Sequence, residues 1–134
     1  MTALADTADP RRLLELARSI LAAPGPSLRR SWPRACAALT RLALEDGLRQ
    51  YWERRAPSLV GGPMRHQLLA LPVFADAETA ALVRAAWSGL SRAMHHHTYE
   101  LPATASELQG WLDDTDAVLE RLNPSAQGAA HDMI

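Results

Sequence analysis

Residues 104–122 read TASELQGWLDDTDAVLERL, and this stretch decides the fold. Thr104 followed three residues later by Glu107 is a capping box. The hydroxyl accepts from the N3 amide and the carboxylate accepts from the cap's own amide, so two donors that a helix start leaves over are satisfied together. Behind the box, Leu108, Leu112, Thr115, Leu119 and Leu122 recur at 4-3-4-3 spacing. That spacing lines one face of an α-helix and neither face of a strand. Asn123-Pro124 terminates the element.

Working outward, the same punctuation recurs. Pro102 bounds a fourth helix that starts from an Asp76 cap, carries Glu78 in its first turn and is expected to run to about Leu101. Met64 to Leu71 reads as a short third helix ended by Pro72, after a loop containing Pro57 and Gly61-Gly62-Pro63. A long second helix begins near Trp32-Pro33, with Cys36, Leu39, Leu42, Ala43, Leu48, Tyr51 and Trp52 as its apolar stripe. Asp46-Gly47 interrupts that stripe, glycine costing roughly 1 kcal/mol against alanine in a helix interior. Asp9-Pro10 is an N-cap followed by proline at N1, and it opens a first helix to about Ala22 with Leu13, Leu16, Ala17, Ile20 and Leu21 inward. Pro24-Gly25-Pro26 ends it. No segment sustains the period of two that a half-buried strand needs. The expected architecture is an all-α helical bundle of four main helices plus a short one. It forms a single domain over residues 1–124, with 125–134 as a flexible tail.

The chain has 134 residues and one cysteine, Cys36, so it closes no disulfide within itself. Its N-terminus shows neither the basic nor the apolar region of a secretory leader, and no apolar run reaches membrane-spanning length. The expectation is a cytoplasmic protein with no membrane contact. All 14 basic residues are arginine. They are unevenly placed: residues 1–66 hold 11 Arg against 6 acids, and residues 67–134 hold 3 Arg against 9. The first-half arginines either decorate ordinary solvated helix faces or meet phosphate.

Residues 90–101, LSRAMHHHTYEL, carry three of the five histidines at the expected end of the fourth helix. On a helix turning about 100° per residue, Val83, Trp87, Leu90, Met94, His97 and Leu101 share one seam. Arg92, His95 and Tyr99 share the opposite face, with Ser88 among them and His96 on the flank. His97 is then a partly buried residue with one hydrogen-bond partner, or a general acid and base beside a guanidinium that holds phosphate. A metal site from the histidine run is disfavoured, because adjacent helical residues face apart and no i, i+4 pair exists.

Arg92 followed by four residues and His97 resembles the Arg-x4-6-His element of the HEPN superfamily. Tyr99 extends it to the Arg-x4-His-x-Tyr form of HEPN toxins partnered with minimal nucleotidyltransferase antitoxins. Leu42-Ala43-Leu44-Glu45 is similar to a long-helix pattern of the family, and the resemblance covers roughly residues 30–122. It implies a HEPN-like bundle and a metal-independent endoribonuclease of a toxin or defence system, needing no cofactor. It also implies a homodimer that joins two motifs in one cleft. By position, Arg92 would bind the phosphate and His97 would transfer protons. Tyr99 would accept an adenylyl group from the antitoxin, with His95 and His96 as auxiliary residues. The family usually carries a polar residue directly after the arginine, where this chain has Ala93. That departure motivates the alternative, a non-catalytic HEPN-like binding or interaction module.

The remaining conspicuous residues have plainer readings. Trp32, Trp52, Trp87 and Trp111 lie on or beside apolar stripes and belong to the core or an interface rather than to a base-stacking surface. Cys36 is a small apolar filler. Asp113, Asp114, Asp116 and Glu120 form a solvated face of the last helix, and His66 sits on the short helix without an assigned role.

Overall fold

The computed structural model describes residues 9–95 and 101–124. The described residues form five α-helices: α1 (Pro10–Ala22), α2 (Trp32–Arg55), α3 (Met64–Phe74), α4 (Ala77–Met94) and α5 (Ala105–Leu122), with 3-10 turns at Pro26–Leu28 and Pro57–Leu59. No strand occurs among the described residues. The protein is an all-α bundle, and no described helix is long and apolar enough to cross a membrane.

Three of the helix starts are the ones the side chains dictate. The Asp9 carboxylate accepts from the Arg11 amide at 3.0 Å, and Pro10 occupies a position whose amide has no helical partner anyway. Asp76 accepts both the amide (2.7 Å) and the hydroxyl (2.9 Å) of Thr79. Thr104 and Glu107 complete both halves of the capping box, at 3.0 and 3.1 Å.

The core faces follow the helical period, with two exceptions. In α1 the inward residues are Leu13, Leu14 and Ala17, while Leu16 is 55% exposed. Leu16 lies about 100° from the centre of the face that those residues share with Ile20 and Leu21. In α2, Leu42 is 46% exposed and Leu44 is fully buried in its stead. Gly47 does not interrupt the stripe: it is buried, and a Cβ there would overlap the side chain of Leu119 on α5. Trp52 is fully enclosed, its indole N–H donating to Gln67 Oε1 at 3.1 Å while the Gln67 amide donates to the Gly62 carbonyl at 2.8 Å. A buried indole donor needs such a partner.

Two helix ends differ from expectation. Pro72 does not terminate α3, which continues to Phe74. A proline in the last turn removes a single amide, its ring is exposed, and the turn is closed by the Ala75 amide on the Leu71 carbonyl at 2.8 Å. Conversely, α4 does not reach Leu101. It ends at Met94, with the His95 amide tightening the last turn onto the Arg92 carbonyl at 3.2 Å. From His95 the chain continues as His-His-His-Thr-Tyr, a run of weak helix formers with no alanine or leucine to sustain the turn. Leu101 is 92% exposed and takes no place on the Met94 seam. The seam itself faces inward: Val83 and Leu90 are fully buried and Trp87 and Met94 pack partly buried against the core.

Polar pairs reveal the helix directions. Leu119 lies on Gly47 and, further along both helices, Arg54 donates to the Leu122 carbonyl at 2.9 Å, so α2 and α5 run parallel. Arg18 meets Asp113 and Arg11 meets Glu120, so α1 runs against α5. Gly89 lies under Trp111, and Thr79 lies near Arg121, so α4 also runs against α5. One end of the bundle therefore gathers the last turns of α1 and α4 and the first turns of α2 and α5. The charge asymmetry of the sequence is partly consumed along this packing. The acids of α5 are not simply solvated: Arg18 reaches Asp113 and Asp116 at 3.2 Å each, and Arg11 reaches Glu120 at 3.0 Å. These pairs are largely exposed and worth about 0–1 kcal/mol each, so they orient α1 on α5 more than they hold it there.

Candidate functional site

The end of the bundle just described contains a cleft of about 270 Å³ between the last turn of α4 and the first turns of α5. Its floor is made by close packing. Gly89 lets the Trp111 indole lie against the α4 backbone, where an added Cβ would overlap three ring atoms. Arg92, Ala93, Pro102, Glu107 and Trp111 line the walls. Arg92 is exposed at the C-terminal turn of α4, where a cation is favoured by the carbonyls that the helix end leaves over. Ala93 is 7% exposed and presents no polar group beside it. Glu107 shares the cleft, but one carboxylate oxygen is already engaged by the Thr104 amide.

Of the residues expected at the site, the structure places Arg92 on the cleft, and His95 one position beyond α4, exposed. His96, His97 and Tyr99 lie outside the described residues. α4 itself ends at Met94, before His95. Among the described residues no group of three or more His, Cys, Asp or Glu is positioned to hold a metal ion. His66 is exposed on the first turn of α3. Cys36 is fully buried, its thiol directed at the Ala17 carbonyl at 3.7 Å, and burial pushes its pKa up, which suppresses the nucleophilic thiolate.

Sequence reasoning did not single out Arg30 and Arg34, at the start of α2. Pro102 is also a wall of a second cleft of about 300 Å³, lined by Arg30, Ser31, Pro33 and Arg34 at the start of α2. Arg30 continues into a third opening of about 500 Å³ with Ser27 and Arg29. The signal was present in the sequence as arginines clustered around a helix start without an acid, but which helix ends they would meet depends on the packing. No known family's sequence pattern matches the chain, and neither a curated protein nor a solved structure matches it.

Proposed function

We propose that this protein is a HEPN-like, metal-independent endoribonuclease, a toxin or defence component in which Arg92 holds the scissile phosphate and His97 transfers protons. The observation that supports the reading is the exposed Arg92 guanidinium on the rim of a cleft at the bundle end, next to a second cleft lined by arginine. A guanidinium so placed binds phosphate oxygens and stabilises the negative charge that grows on them as the reaction proceeds. Imidazole titrates near neutral pH, so it can remove the ribose 2′-hydroxyl proton. The 2′-oxygen then attacks phosphorus, the bond to the 5′-oxygen breaks, and a protonated imidazole returns a proton to that oxygen. The products are a 2′,3′-cyclic phosphate and a 5′-hydroxyl. The same reading carries a homodimer and a nucleotidyltransferase antitoxin that adenylylates Tyr99.

The alternative, a non-catalytic binding module, is favoured by Ala93, a buried residue that puts no polar side chain directly after Arg92. Expression in a bacterial host separates the two. A nuclease arrests growth and leaves RNA fragments ending in cyclic phosphate, and Arg92→Ala relieves the arrest. Wild-type expression without arrest or fragments favours the module.

A further inference from the structure

The longest helix of the protein starts in an unusual electrostatic setting. Among the described residues, Arg11, Arg18, Arg41, Arg49 and Arg121 each have a carboxylate oxygen within 4.0 Å, and Arg54 and Arg55 donate to backbone carbonyls. At the start of α2 the pattern reverses. Arg29, Arg30 and Arg34 are exposed around the positive end of a 24-residue helix. That helix has no side-chain hydrogen bond at its Ser31 cap and no acid in its first turn. The neighbouring start of α5 has both a side-chain cap and Glu107. Cations at a helix N-terminus are disfavoured by the dipole, and here they also repel one another. Folding gains nothing from this arrangement, and a bound anion turns its sign.

The residues lining the second and third clefts include no acid. Arg30 belongs to both, and Pro102 joins the second to the Arg92 cleft. The arginines thus form a continuous path from Arg29 through Arg30 and Arg34, past Pro102, to Arg92. We infer that Arg30 and Arg34 form a second phosphate subsite, which holds the backbone of single-stranded RNA beside the Arg92 cleft. The inference rests on the ribonuclease reading for the identity of the strand. The path is confined to one end of the bundle, and the α1–α5 side adjoining it carries carboxylates. This suits a short flexible strand and opposes a long rigid duplex.

The test is the salt dependence of binding to a short fluorescent 2′-O-methyl oligonucleotide, which lacks the attacking hydroxyl and stays intact. Each phosphate neutralised on a single strand contributes about 0.7 to the slope of log K against log salt. Losing two contacts in Arg30→Ala/Arg34→Ala lowers the slope by about 1.4. Between about 50 and 200 mM salt, wild type then loses about sevenfold more affinity than the double variant does. Arg12→Ala/Arg65→Ala removes the same charge elsewhere on the surface and retains the wild-type slope. Without oligonucleotide, Arg30→Ala/Arg34→Ala melts at or above the wild-type midpoint, because repulsion at the start of α2 is relieved.

An unchanged slope in Arg30→Ala/Arg34→Ala, or equal losses in the two double variants, overturns the subsite and leaves the nuclease reading standing. Binding with the expected slopes by a wild type that cuts no RNA overturns the nuclease reading alone. A wild type that binds no oligonucleotide overturns both.

Discussion

Replacing Gly89 by alanine tests the packing on which the cleft is built. Alanine is favoured over glycine in a helix interior by about 1 kcal/mol, so on propensity alone the variant is more stable. The structure opposes this gain, because the new Cβ would overlap Cε2, Nε1 and Cζ2 of Trp111. These atoms belong to one rigid ring, so no small torsion relieves the overlap and the indole must leave its seat. Tryptophan buries about 150–250 Å² when enclosed, and Trp111 is partly buried, so eviction releases about 100 Å². At about 25 cal/mol per Å² this costs about 2.5 kcal/mol. The net loss is about 1.5 kcal/mol, a fall of about 5 °C in melting midpoint for a chain of this size. Gly110→Ala supplies the control: it lies on the same α5 helix as Trp111, is exposed, and its Cβ would meet no atom within 4 Å. That variant gains about 1 kcal/mol. Thermal unfolding followed by circular dichroism reads both. If Gly89→Ala melts at or above wild type, or moves with Gly110→Ala, then Trp111 does not rest on α4 and the cleft has a different floor.

Other substitutions test the elements that hold this end of the molecule in register. Gln67→Ala leaves the enclosed Trp52 indole N–H without its acceptor and destabilises by about 1–3 kcal/mol, read as a drop in denaturant midpoint. An unchanged midpoint would mean that the Trp52 donor finds another partner. The Asp76 carboxyl is held below its usual range, chiefly by the Thr79 amide and then by its hydroxyl. The stability this contributes is complete above the ordinary aspartate pKa of about 3.9 and disappears as pH falls through the lower folded value. The melting midpoints of wild type and Asp76→Asn should therefore differ near neutrality and converge in acid, whereas parallel pH profiles would argue against the cap.

The helix starts were legible because their chemistry is local. Asp9, Asp76 and Thr104 with Glu107 each satisfy amides within three residues, whatever the rest of the chain does. The same locality explains why the apolar period of α5 was read correctly. What escaped depends on partners. Gly47 and Gly89 look like flaws in helices until Leu119 and Trp111 are known to sit on them. The acids of α5 look solvated until α1 brings Arg11 and Arg18 across. Pro102 is the stop that the sequence offers for α4, whereas the helix ends at Met94, where a run of weak helix formers begins. At the site, Arg92 stood out through its motif, whereas Arg30 and Arg34 gained meaning only once Pro102 was seen to join their cleft to that of Arg92.

Chemistry at Arg92 and His97 is read from cleavage of total RNA and tRNA by the purified protein in EDTA. Wild type is expected to cut and to keep cutting in chelator, whereas Arg92→Ala and His97→Ala, each folded by circular dichroism, are expected not to cut. Wild-type protein that leaves both RNAs intact, or variants that cut as wild type does, would contradict that chemistry.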